Sequence, residues 1–141
     1  MASVHMTQEF NAPQQEIFDY LSDHNNFGSL LNANITRIQD AAGDNPNGLG
    51  SVRSIKLGIE LLQETIVRFE SPNVIEYKIS NNVPVKYHLG RLEFTSPQPN
   101  KTVLNYTIEL ETKIGFIDPL LLFGIETTIK SGLKKLAGKY K

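Results

Sequence analysis

The chain has 141 residues, 40% of them hydrophobic and 21% charged, the make-up of one globular domain able to bury a core without covalent staples. Net charge is −1 and cysteine is absent, so global electrostatics give no reason to expect a nucleic-acid partner, and disulfides, thiolate nucleophiles and cysteine metal sites are excluded. No basic segment followed by an apolar run opens the sequence and no apolar run is long enough for a bilayer, so a cytoplasmic protein without stable membrane insertion is expected.

Residues 3–10 alternate, with Val4, Met6 and Phe10 on one side and Ser3, His5, Thr7 and Glu9 on the other, as in a half-buried strand. Asn11-Ala12-Pro13 ends it, and Pro13 opens a short helix with Ile17, Phe18 and Leu21 on its apolar face. Asp23 is placed to cap a second short helix carrying Phe27, Leu30 and Leu31. Residues 34–40 read as a strand with Ile35 and Ile38 as its apolar members, followed by a Gly-, Asn-, Asp- and Pro-rich loop over 41–50. Residues 51–57 and 60–70 are strands around Gly58-Ile59; glycine first in a two-residue turn suits type II′ and sets Arg53 opposite Glu64. After Ser71-Pro72-Asn73 comes a strand over 74–80, a break at 81–84, and a long hairpin of 85–95 and 102–112. From residue 119 to 141, Leu122, Ile125, Ile129, Leu133, Leu136 and Tyr140 recur every three or four residues and form one helical face. Asp118 reads as its N-cap with Pro119 at the first helical position, and lysines crowd its last turns, where the helix dipole favours cations. Such a stripe needs a broad apolar partner, and the simplest one is a curved antiparallel sheet.

The order strand, two short helices, six strands, long helix resembles the helix-grip fold of the SRPBCC (START/Bet v 1-like) superfamily. "FNAPQQEIFDYLSD" (residues 10–23) is similar to the family's first strand and helix, and "GLGSVRSI" (48–55) to its glycine turn and following arginine-bearing strand. "ETIVRFESPNVIEYKI" (64–79) resembles the next hairpin and "GRLEF" (90–94) the penultimate strand. The resemblance covers nearly the whole chain and is nearest to the polyketide cyclase/dehydrase and lipid transport branch. It implies an α+β, helix-grip domain over residues 1–141: a curved seven-stranded antiparallel sheet around a long C-terminal helix, with two short helices after the first strand. It also implies either a carrier of hydrophobic ligands or an aromatic cyclase, and fold alone does not decide between them.

Alternation selects the candidate site. His88, Gly90, Leu92 and Phe94 share one face of their strand, and Leu104, Tyr106, Ile108 and Leu110 share one face of the next. A concave sheet under a helix turns this set inward, and Leu122, Ile125 and Ile129 complete the wall of an expected ligand-binding cavity. Gly90 is expected to leave space there, with His88 or a tyrosine as the polar handle. Leu120 and Phe123 lie off the helix stripe, where they can cover a cavity mouth or pack on a neighbouring loop.

The expected function is binding or transport of a hydrophobic small molecule, lipid-like or aromatic, without a covalent step. The alternative is a cyclase/aromatase-like enzyme moving protons with His88, Tyr87 or Arg53, although no catalytic set is recognisable. A third reading is an interaction module with a residual cavity. Arg53 and Glu64 are expected to form an ion pair on the outer face, with a buried anchor inside the pocket as the alternative. His24 is expected to cap a helix or lie on the surface, and His5 to be exposed. Three histidines this scattered have no metal-ligand spacing, and no glycine-rich phosphate loop or Ser/His/Asp set is present, so no metal or cofactor is expected. The helix lysines at 130, 134, 135, 139 and 141 read as a solvated face rather than a membrane-binding one. Monomer and homodimer both fit the sequence.

Overall fold

The computed structural model describes residues 2–57 and 59–140, and the side chains of all of these except residues 57 and 59–61. In chain order the elements are β1 (Ala2–Phe10), α1 (Gln14–Ser22), α2 (His24–Leu31), β2 (Asn34–Gln39), β3 (Val52–Leu57), β4 (Ile59–Glu70), β5 (Val74–Ile79), β6 (Val85–Gln98), β7 (Lys101–Thr112), a 3-10 turn at Gly115–Ile117, and α3 (Asp118–Ala137). The strands form one antiparallel sheet in the order β1-β7-β6-β5-β4-β3-β2. The sequence neighbours β2 to β7 pair as a meander, and β1 closes the other side by pairing with β7, Ala2 opposite Leu110 through Phe10 opposite Thr102. The alternating pattern and the terminal stripe predict a long helix across one antiparallel sheet, and the resemblance implies the α+β helix-grip form of it; the structure has this architecture.

The registers carry the expected faces. Arg53 pairs with Glu64, Ser54 with Gln63 and Ile55 with Leu62, and a register shift separates this ladder from the Lys56–Glu60 pair. The type II′ turn expected at Gly58-Ile59 lies outside the described residues. In β2 the register shifts between Arg37 and Gln39, so Ile38 leaves the ladder and is exposed, whereas Ile35 is buried as expected. The last hairpin turn is tighter than expected, because β6 runs to Gln98 and pairs it with Lys101.

Two expectations for the last helix are corrected. Asp118 does not cap α3. Its carboxyl instead accepts from the backbone N–H of Thr112 at 3.0 Å and from the Thr112 hydroxyl at 2.5 Å, tying the helix start to the end of β7. The helix also stops at Ala137 rather than running to the C-terminus. Gly138 is a poor helix former, and the N–H groups of Lys139 and Tyr140 turn to the carbonyls of Leu136 and Ala137, tightening the last turn.

Along α3, Leu122, Ile129, Leu133 and Leu136 are buried and Ile125 is half-buried, as is Tyr140 beyond its end. Gly132 is required where α2 crosses. A Cβ there would lie 2.7 Å from the Cα of Leu30 and 2.8 Å from its carbonyl oxygen, so only glycine allows the two backbones this close. The two short helices plug one end of the grip. Phe18 of α1 sits edge-on to both Phe69 and Phe94 at 5.2 Å, and Phe27 of α2 packs on Tyr77 and Tyr106. That end of the sheet is therefore solid core.

Candidate functional site

The other end is hollow. A cavity of about 720 Å³ lies between the sheet and the first half of α3. Its sheet side is formed by Ile55 and Leu62, by Tyr77 and Ile79, by Val85, and by Ile108, Leu110 and Thr112. Leu31 and Ala33, at the end of α2, form one edge. Leu120, Leu121, Gly124, Ile125, Thr128 and Ile129 supply the helix side, and Leu120 and Leu121 are exposed at its margin. Into this mostly apolar space project two ionisable side chains from the sheet, Glu64 and His88.

The geometry around Glu64 is asymmetric. Arg53 Nε donates to Glu64 Oε1 at 2.9 Å, and Arg53 Nη2 lies 2.8 Å from the same oxygen. The guanidinium is stacked against the rings of Phe27 at 4.2 Å and Tyr77 at 4.5 Å. Arg53 and Glu64 are 3% and 6% exposed, so the pair is an internal one on the concave face; the expected outer-face ion pair is corrected. The second carboxylate oxygen, Oε2, faces Nε2 of His88 at 4.0 Å. His88 Nδ1 accepts a hydrogen bond from the backbone N–H of Ile79 at 3.0 Å. With Nδ1 used as an acceptor, the proton of the neutral ring resides on Nε2, the nitrogen turned toward Glu64. Burial lowers the His88 pKa below the ordinary histidine value; nearby Glu64 opposes the shift and Arg53 adds to it. His88 is thus a neutral N–H donor at pH 7.

Behind Arg53 a directed chain continues. Arg53 Nη1 lies 3.4 Å from His24 Nδ1, His24 Nε2 lies 3.0 Å from the Ser51 hydroxyl, and that hydroxyl donates to the Gly48 carbonyl at 2.8 Å. His24 is 1% exposed. Burial, assisted by the charges of Arg53 and Arg37 and opposed by Asp23, lowers its pKa to about 3. The expected capping or surface role for His24 is corrected: Asp23 alone caps α2, accepting from the N–H groups of Asn25 and Asn26, and His24 turns inward. Beneath the cavity the Tyr77 and Tyr106 hydroxyls bond to each other. Burial is the main cause raising both phenol pKa values, so both are neutral, and one hydroxyl donates to the other.

Of the residues expected to line a ligand site, His88, Ile108, Leu110, Ile125 and Ile129 border the cavity. Leu92, Phe94, Leu104, Tyr106 and Leu122 are buried in the core away from it. The reason is the plug formed by α1 and α2, which fills the end of the sheet where Phe94 and Tyr106 point. The space expected beside Gly90 is likewise filled: a Cβ on Gly90 would lie 2.1 Å from Cζ of Tyr77, its partner across β5 and β6. Tyr87 faces the opposite side of the sheet from His88, where its hydroxyl donates to Glu109 Oε1 at 3.2 Å, so it does not reach the cavity. Arg53 acts on the cavity only through Glu64. Leu120 borders the cavity, while Phe123 is 64% exposed and does not. His5 is exposed and its ring contacts Thr107. Among the described residues no group of three or more His, Cys, Asp and Glu side chains could hold a metal ion, and no helix is long and apolar enough to cross a membrane.

A family model described as polyketide cyclase/dehydrase and lipid transport matches residues 1–141. No curated protein matches the chain in sequence. Among solved structures, norcoclaurine synthase from Thalictrum flavum, in complex with dopamine and hydroxybenzaldehyde, superimposes with a TM-score of 0.68 at 15% identity, covering 99% of this chain and 88% of that one. A solution NMR structure from Thermobifida fusca gives a TM-score of 0.74 at 17% identity, covering 100% and 96%. The di-domain ARO/CYC protein BexL of the BE-7585A biosynthetic pathway gives 0.71 at 12% identity, covering 98% of this chain and 46% of that one. These identities carry the fold and no more.

Proposed function

The chain belongs to the polyketide cyclase/dehydrase and lipid transport family, and on that premise we propose that it binds and carries a hydrophobic small molecule, lipid-like or aromatic, between the sheet and the first half of α3. The observation that carries this reading is the cavity itself: about 720 Å³ of mostly apolar wall with two polar groups at one place on it. That volume lies in the range of small-molecule sites, and a few placed polar groups in an apolar cleft are what orients such ligands. Every 100 Å² or so of apolar ligand surface removed from water contributes about 2.5 kcal/mol before the costs of association are met.

A second reading, cyclisation of a flexible carbonyl compound, is favoured by one observation, the Glu64–His88 pair. A carboxylate beside a neutral N–H donor can take a proton from carbon next to a carbonyl while the donor supports the enolate oxygen. Native mass spectrometry of protein purified without added ligand, followed by titration with the neutral dye Nile red, tests the carrier reading. A retained small molecule, or saturable dye uptake that Ile125→Trp abolishes while leaving the thermal melt cooperative, supports it. Uptake unchanged by filling the cavity in this way refutes it. Turnover of an added polyketone would favour the enzyme.

A further inference from the structure

The polar corner of the cavity presents one acceptor and one donor, and both are fixed. Glu64 Oε1 accepts from Arg53 Nε and lies 2.8 Å from its Nη2, which leaves Oε2 as the acceptor toward the cavity. His88 Nδ1 is occupied by the Ile79 N–H, which leaves Nε2–H as the donor. The two atoms are 4.0 Å apart, too far to satisfy each other directly. A single oxygen seated between them can accept from Nε2 and donate to Oε2 at ordinary hydrogen-bond lengths of about 2.8 Å. Arg53 gives no counter-charge to the ligand itself: its guanidinium is covered by Phe27 and Tyr77, it is 3% exposed, and it does not border the cavity.

We propose that the ligand of this cavity is headed by a neutral hydroxyl group, an alcohol or phenol, whose O–H donates to Glu64 Oε2 and whose oxygen accepts from His88 Nε2–H, and that carboxylate-headed ligands are rejected. The proposal rests on the hydrophobic-ligand reading above. The other common head groups fail on chemistry. A carboxylate meets the free oxygen of Glu64, charge against charge, where little water remains to screen it. A ketone or ether accepts from His88 but leaves Oε2 without a donor, and an unmet charged acceptor in an apolar site is costly. Of these head groups the hydroxyl matches both atoms at once. The other charged group near this corner is Arg53, already engaged with Glu64, and the neighbouring wall from β5, β7 and α3 is otherwise Tyr77, Ile79, Leu110 and Ile125, without charge.

The test uses the full-length protein at pH 7.5 and three probes of one size: 4-octylphenol, 4-octylanisole and 4-octylbenzoate, each competing with Nile red. The phenol should bind at least about tenfold tighter than the anisole, the ratio of one hydrogen bond to a charged group, and the benzoate should bind weakest. In Glu64→Gln the phenol's advantage over the anisole should shrink to about threefold or less and the benzoate should gain. Because that change strips the buried Arg53 of its ion pair, the ranking on unaltered protein stands as the deciding measurement if the variant fails to fold. Benzoate binding as tightly as phenol, or anisole equal to phenol, would overturn the hydroxyl proposal and leave the apolar-cavity reading intact. Failure of all three to displace the dye would remove both.

Discussion

Acidification from pH 7.5 to 5 should cost about 2 kcal/mol of folding free energy at His24 alone. In the folded protein burial disfavours the charged ring, and the guanidinium of Arg53 facing Nδ1 and the charge of Arg37 add to it, so the pKa falls to about 3. The unfolded chain keeps the ordinary value of about 6.5. Between these two values the unfolded state binds a proton and the folded state does not. Stability from this group is therefore complete above the unfolded value and is lost as pH falls through 6.5 toward 3. At pH 5, about one and a half units below the unfolded pKa, the loss is about 2 kcal/mol at 1.36 kcal/mol per unit. Spread over an unfolding entropy of about 2.1 cal/mol/K per residue, that lowers the melting temperature by roughly 7 °C. Circular dichroism melts of the unaltered protein and of His24→Gln across this range measure it. The variant should be less stable at pH 7.5 and markedly flatter with pH, since glutamine does not titrate. His88 is present in both proteins, so its own contribution of the same sign cancels in the comparison. Parallel pH dependences in the two proteins would refute the claim that His24 is held neutral by its surroundings.

Gly90→Ala should destabilise the fold by roughly 1–3 kcal/mol and change the near-ultraviolet tyrosine signal, because the new Cβ occupies the place of the Tyr77 ring; urea melts with a near-ultraviolet scan check both. Gly132→Ala should cost about 1–3 kcal/mol although alanine is the better helix former, since its methyl meets the backbone of Leu30 rather than a side chain that can move; a gain in stability would refute the crossing geometry. Ile129→Ala should cost about 2–5 kcal/mol by urea melt, as this side chain is 1% exposed under α3.

The fold was legible because its signals are periodic and long. The alternation of β7 and the stripe of α3 each span most of their element, and the burial of β7 alternates over every residue from Lys101 to Thr112. The site was legible only in part. The face carrying His88, Ile108 and Leu110 follows from alternation, but where a cavity opens along that face depends on what fills the rest. Phe18 and Phe27 fill one end, and their positions are set by tertiary packing that no local pattern encodes. The hairpin spacing pairs Arg53 with Glu64 correctly, but of the two faces left open the outer one is favoured and the inner one is found. Their parity with Ile55 and Ile66, both buried, was the available signal and was outweighed by the general tendency of charges to lie outside. His24 follows Asp23, a strong capping residue, and that local signal masked a contact with Ser51 and Arg53 from distant parts of the chain.

The bond from Asp118 to the end of β7 has a bearing on how the roof of the cavity is held. The helix above it rests like a beam on two piers: Asp118 anchors its start to Thr112, and Gly132, in its last third, seats it on the backbone of Leu30. The residues that front the cavity, from Leu120 to Ile129, lie between these points. A span fixed at both supports resists sagging into the hollow. On the carrier reading proposed above, a ligand meets a roof already in position, and its affinity is not drawn down by the ordering of a mobile helix.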